Sequence, residues 1–135
     1  MKRALSLVFA SILLLCSALS LASCGGITGT YEMTSIEGIK VVDGFRSEIT
    51  MDDYDYYRIT LNDNGTGILK SKLAGRSDVY KAYFSWSYEG TTLTLTNLET
   101  GNVQTMTLED GVITIISNGT DGVRDGINMT LILEK

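Results

Sequence analysis

The sequence predicts an all-β fold: an antiparallel, up-and-down meander of about eight strands that closes into a barrel. Three observations predict it. Short runs of alternating apolar and polar residues follow one another along most of the chain. Turn dipeptides such as Asn64-Gly65, Glu89-Gly90 and Asp110-Gly111 separate them. No segment carries a sustained helical stripe.

Gly29–Ile36 opens the series, with Ile39–Val42 as a short second piece. Gly38–Met51 has the weakest pattern and admits a helical turn around Ser47–Asp53. In Tyr54–Asn62, Tyr57, Ile59 and Leu61 share one face against Arg58, Thr60 and Asn62. Asp63-Asn64-Gly65 then turns the chain into Thr66–Leu73, because asparagine and glycine adopt the positive φ of a tight hairpin cheaply. Val79–Tyr88 puts Ala82, Phe84 and Trp86 on one side, and Thr91–Asn97 turns Leu93 and Leu95 inward. Val103–Leu108 and Val112–Ser117 follow. A glycine-rich loop from Asn118 to Gly126 precedes the last strand, Asn128–Glu134, whose Met129, Leu131 and Leu133 share a face.

Such a meander has two exposed edges, and closure into a barrel removes them. An eight-stranded barrel has an interior that side chains fill, or that holds one small ligand. A two-sheet β-sandwich is the competing arrangement.

The N-terminus carries an export pattern: Met1-Lys2-Arg3, an apolar stretch from Ala4 to about Leu19, then small residues before Cys24. Leu21-Ala22-Ser23-Cys24 resembles the lipobox of bacterial lipoproteins. That resemblance implies a helical signal peptide over residues 1–23, cleavage between Ser23 and Cys24, and a diacylglyceryl group on the Cys24 thiol. Residues 24–28 then form a flexible lipidated linker and 29–135 the β-domain. The partner this implies is a membrane, reached through the N-terminal lipidated cysteine, and the location is extracytoplasmic. The anchor would sit in the outer face of the cell membrane or in the outer membrane.

Removing 23 of 135 residues leaves 112, one domain by length. Loss of Lys2 and Arg3 lowers the basic count from 11 to 9 against 16 acidic residues. A chain so acidic, without a basic cluster, is not expected to bind nucleic acid. Cys16 leaves with the leader, so no intrachain disulfide is expected. The chain has no histidine, which removes the usual base of a nucleophilic triad and the commonest metal ligand. No Walker or dinucleotide glycine loop is present. We therefore expect no enzyme activity, no cofactor and no metal. Asp52, Asp53 and Asp55 read as a solvated acidic loop whose spacing does not fit an EF-hand.

Ile27-Thr28-Gly29-Thr30-Tyr31, the run Tyr57–Gly67, Phe84-Ser85-Trp86, Leu93-Thr94-Leu95 and the Met129–Leu133 strand resemble, in order and spacing, the small lipocalin-like domains of bacterial lipoproteins. Tyr31 stands where that family usually has tryptophan. The resemblance implies a lipocalin-like barrel that binds a small apolar or amphipathic ligand. Phe84, Trp86, Leu93, Leu95 and Leu131 are the candidate pocket lining. The alternative is a non-enzymatic interaction or structural surface lipoprotein, with a filled core and a tyrosine-rich face for a protein partner. Tyr54, Tyr56, Tyr57, Tyr80, Tyr83 and Tyr88 supply that face.

Overall fold

The computed structural model describes residues 26–120 and 124–135. The signal segment, Ser23 and Cys24 lie outside the described residues. Nine strands form one antiparallel sheet: β1 (Gly29–Val42), β2 (Phe45–Ile49), β3 (Tyr54–Leu61), β4 (Thr66–Leu73), β5 (Tyr80–Glu89), β6 (Thr92–Asn97), β7 (Val103–Glu109), β8 (Val112–Asn118) and β9 (Gly126–Glu134). A 3-10 turn, Met51–Asp53, joins β2 to β3, and Asp53 accepts the Thr50 N–H there at 2.8 Å.

The sheet runs β2-β1-β3-β4-β5-β6-β7-β8-β9, and β9 pairs back onto β1. Eight strands thus close into a barrel, and the sandwich arrangement is excluded. Closure depends on the length of β1. Its start, Gly29–Glu32, pairs with β3, while Glu32–Val41 pairs with β9. A bulge between Met33 and Ser35 lets the strand bend from one neighbour to the other. The upper part of β1 holds β2, from Gly38↔Ile49 to Val42↔Phe45, as a short flap outside the eight-strand ring.

Two boundaries differ from the sequence-based expectation. Gly29–Ile36 and Ile39–Val42 are one strand, because Gly38 is extended rather than a turn: β9 crosses so close that a β-carbon on Gly38 would lie 2.1 Å from the Asn128 carbonyl oxygen. The reversal comes instead at Asp43-Gly44, where both residues have positive φ, 51° and 78°, and β2 follows it.

The period-two pattern fills the barrel. Tyr31, Ile59, Leu93, Ile113, Leu131 and Leu133 are fully buried, and Leu61, Phe84, Leu95, Met106, Leu108 and Ile115 are nearly so. No polar or charged residue is buried among the described residues. Each large aliphatic side chain removed from water contributes roughly 1.5–3 kcal/mol. That core must stabilise the domain through packing and strand pairing.

Candidate functional site

The two barrel ends differ. At one end lie the tight hairpins β3–β4, β5–β6 and β7–β8, and here the chain plugs its own barrel. Ile27 is buried, and the Tyr31 hydroxyl donates to the Ile27 carbonyl at 2.6 Å. Burial, followed by the nearby Tyr88, raises the Tyr31 pKa. Lys135 Nζ donates to the Gly26 carbonyl at 3.0 Å, tying the last residue to the first described one. Trp86 Nε1 lies 3.0 Å from both the Asn62 and Thr66 carbonyl oxygens, and so pins the β3–β4 hairpin. Tyr88 donates to the Leu108 carbonyl at 2.9 Å. With its polar atoms engaged and its centre filled, this end is closed.

The other end is open. The longer connections gather there, and several cavities lie around the rim. One of them, of about 560 Å³, is bounded by the ends of β1, β2, β8 and β9. Ile36, Ile49 and Met129 supply its apolar part, and all three belong to or pack against the core. Thr50, Ser117, Asn118, Asn128 and Thr130 are its polar lining residues. Asn128 engages its amide with the Thr120 N–H and carbonyl, and Glu37 and Glu48 alternate with Ile36 and Ile49, so their carboxylates point to the other face of the sheet. Such a site can take up a small molecule by burying apolar surface and orient it through hydrogen bonds at the rim.

The residues singled out from the sequence divide between the core and a smaller space. Phe84 and Leu95 line a cavity of about 220 Å³ at the open end, with Leu69, Tyr80 and Ala82. Leu93 and Leu131 are fully buried in the core, and Trp86 packs against it. None of these five lines the 560 Å³ cavity. Its own apolar residues were missed because the flap carrying Ile49 was not recognised. The signal existed: Asp43-Gly44 is the same dipeptide as Asp110-Gly111, whose hairpin was read from the sequence.

The tyrosines do not form one face. Tyr54, Tyr57 and Tyr88 pack against the core, while Tyr80 and Tyr83 are 60% and 58% exposed. Tyr54 and Tyr57 meet edge to face with ring centroids 6.1 Å apart. Burial above all, then Tyr54 and Tyr80, pushes the Tyr57 pKa up to about 12. Tyr54 is raised as well, by burial and then by Asp53. On the outer wall the Arg58 guanidinium sits 4.4 Å above the Tyr56 ring and 3.5 Å from Glu32. The acidic run is tied into the fold: Asp53 caps the 3-10 turn and Asp55 pairs with Lys72.

Among the described residues no group of three or more acidic, histidine or cysteine side chains is placed to hold a metal ion. The chain matches the family model described as a lipocalin-like domain over residues 27–120. No curated protein and no solved structure matches it. The matched span runs from the Ile27 plug through β8, and β9 completes the ring beyond it. With the family model covering most of the chain and a closed eight-stranded barrel to go with it, this protein belongs to the lipocalin-like domain family.

Proposed function

We propose that this protein is an extracytoplasmic binding module, tethered by lipidated Cys24, that takes up a small apolar or amphipathic ligand at the open end of its barrel. The observation carrying this reading is the cavity of about 560 Å³, within the range of roughly 300–1,000 Å³ common for small-molecule sites. Its mixture of aliphatic and hydroxyl or amide lining suits a ligand with an apolar body and a polar end. The tether adds an orientation. Only Gly25 separates Cys24 from Gly26, and Gly26 lies at the plugged end, held by Lys135. A lipid on Cys24 would therefore set the plugged end toward the bilayer and the cavity away from it. Two acyl chains give durable anchoring, whereas one is marginal.

Native mass spectrometry of the protein purified from its own host tests the ligand. A retained small molecule adds mass, and fluorescent apolar probes compete for the same cavity. If no mass is added and no probe binds, the reading fails. Metabolic labelling with an alkyne fatty acid tests the tether: label is expected on the wild-type chain and absent from Cys24→Ala.

The filled barrel centre and the exposed Tyr80 and Tyr83 favour a second reading, a non-enzymatic surface protein that docks a protein partner. Under that reading a Tyr80→Ser/Tyr83→Ser double variant loses the partner, while occupying the cavity has no effect on it.

A further inference from the structure

β2 is the end strand of the sheet order: β1 holds one side of it, and no strand among the described residues takes the other. Along that free edge the sequence Phe45-Arg46-Ser47-Glu48-Ile49 is complementary to its own reverse. We infer that β2 is a self-association surface, on which a second copy of this chain pairs its own β2 antiparallel about a two-fold axis at Ser47. The inference stands independently of the ligand-binding reading.

The hairpin fixes which backbone groups the edge offers. Asp43 and Gly44 form a two-residue turn with positive φ at both positions, which makes the flanking Val42 and Phe45 a hydrogen-bonded pair. Alternation along the ladder then turns the N–H and C=O of Phe45, Ser47 and Ile49 toward β1, and those of Arg46 and Glu48 toward the free edge. None of the backbone hydrogen bonds of the turns and loops among the described residues reaches Arg46 or Glu48. A copy turned about Ser47 brings Arg46 opposite Glu48 of the second copy, and Glu48 opposite its Arg46. Each such pair can exchange both of its N–H···O bonds, so the free edge meets one that fits it.

The side chains match in the same register. On one face Arg46 meets Glu48 of the copy on both sides of the axis. Neither has an ion-pair partner within the described residues, whose salt bridges are Arg58–Glu32 and Lys72–Asp55. On the other face Phe45, 80% exposed, meets Ile49 of the copy, and Val42, opposite Phe45 in its own hairpin and 49% exposed, widens the apolar contact. A pairing centred on Arg46 or on Glu48 instead sets that residue against itself, and like charges directly opposite destabilise a strand pair. The two charges therefore select the Ser47 register and guard the edge against its neighbours. The axis also reverses the strand direction, so the plugged ends of the two barrels point away from each other. Copies held by a lipid at that end would pair across facing bilayers.

Sedimentation velocity of the detergent-solubilised full chain over a concentration series tests this, and the wild-type chain should pass from monomer to dimer. Arg46→Glu and Glu48→Arg each set like charges opposite one another on both sides of the axis, and each should weaken the dimer about tenfold. An equimolar mixture of the two variants restores opposite charges, as does the Arg46→Glu/Glu48→Arg double swap, and both should recover the dimer. That recovery also shows that the single variants fold. At the axis the two Ser47 residues form a non-hydrogen-bonded pair with α-carbons about 4.5 Å apart, within disulfide reach. Mild oxidation should therefore give a reducible dimer of Ser47→Cys, and none of the wild type or of Arg46→Cys. A chain that stays monomeric at every concentration, a dimer indifferent to the charge variants or not restored by mixing them, or a Ser47→Cys chain that does not cross-link overturns the inference.

Discussion

The Phe84 ring covers Gly67, its cross-strand partner on the neighbouring strand. A β-carbon on Gly67 would lie 2.5 Å from the ring and 2.2 Å from the Thr60 carbonyl oxygen. The glycine lets three strands approach at a tight bend of the barrel, and the aromatic ring fills the space its missing side chain leaves. Gly67→Ala should therefore cost about 1–3 kcal/mol, since backbone on one side and a buried ring on the other both resist displacement. Phe84→Ala should cost about 3–5 kcal/mol by leaving a hole. Urea unfolding of both variants checks this, and a Gly67→Ala midpoint equal to that of the wild type would refute the account of the bend.

Tyr31 occupies the position where the family usually places tryptophan, and it is fully buried with its hydroxyl on the Ile27 carbonyl. Tyr31→Phe keeps the ring and removes that bond, leaving a carbonyl without its donor at the plug. The expected loss is about 1 kcal/mol, with faster amide exchange at residues 27–31. Unchanged exchange there would show that the plug does not depend on the hydroxyl.

Tyr57 makes stability sensitive to alkali. Its folded-state pKa is about 12 against 10.0 for the free side chain. Below pH 10 both folded and unfolded chains keep the proton, and the full stability is present. Between 10 and 12 the unfolded chain releases it while the folded chain holds it, so stability falls as pH rises toward 12. The loss for this one group is on the order of 2 kcal/mol. Tyr31 and Tyr54, also raised, add to the same trend. Tyr57→Phe should flatten the decline between pH 10 and 12 without abolishing it, as measured by denaturant midpoints across that window.

How legible the molecule was depends on how local each signal is. The inward sets Tyr57, Ile59, Leu61 and Ala82, Phe84, Trp86 could be read because alternation within one strand fixes which side chains face together. The β4 limits, Thr66–Leu73, were read directly from their turn residues. Gly38 misled because a glycine between Ile36-Glu37 and Ile39-Lys40 looks like a turn, whereas its role is set by β9, ninety residues away in the chain. The cavity was illegible for the same reason. Ile36, Ile49, Ser117 and Met129 come from four strands, and only barrel closure brings them together. Leu93 and Leu131 looked like pocket lining because inward-facing positions near the middle of a barrel and at its mouth share one sequence pattern.

The family match stops at Thr120, yet the ring is not closed without the segment beyond it. Along β9, residues Gly126–Glu134 pair with β1 from Val41 to Glu32, and Asn128–Glu134 also pair with β8. The strand brings in Met129, Leu131 and Leu133, two of them fully buried. Deleting residues 124–135 would bare two sheet edges and expose the core between them, inviting edge-to-edge association. The truncated chain should lose its cooperative unfolding transition and bind hydrophobic dyes. Adding residues 124–135 as a separate peptide should restore part of the native near-ultraviolet signal of Trp86, because the missing strand has a vacant slot with two ready edges. A truncated chain that unfolds cooperatively at the wild-type midpoint would mean that β9 is an accessory to an already stable sheet rather than the strand that closes it.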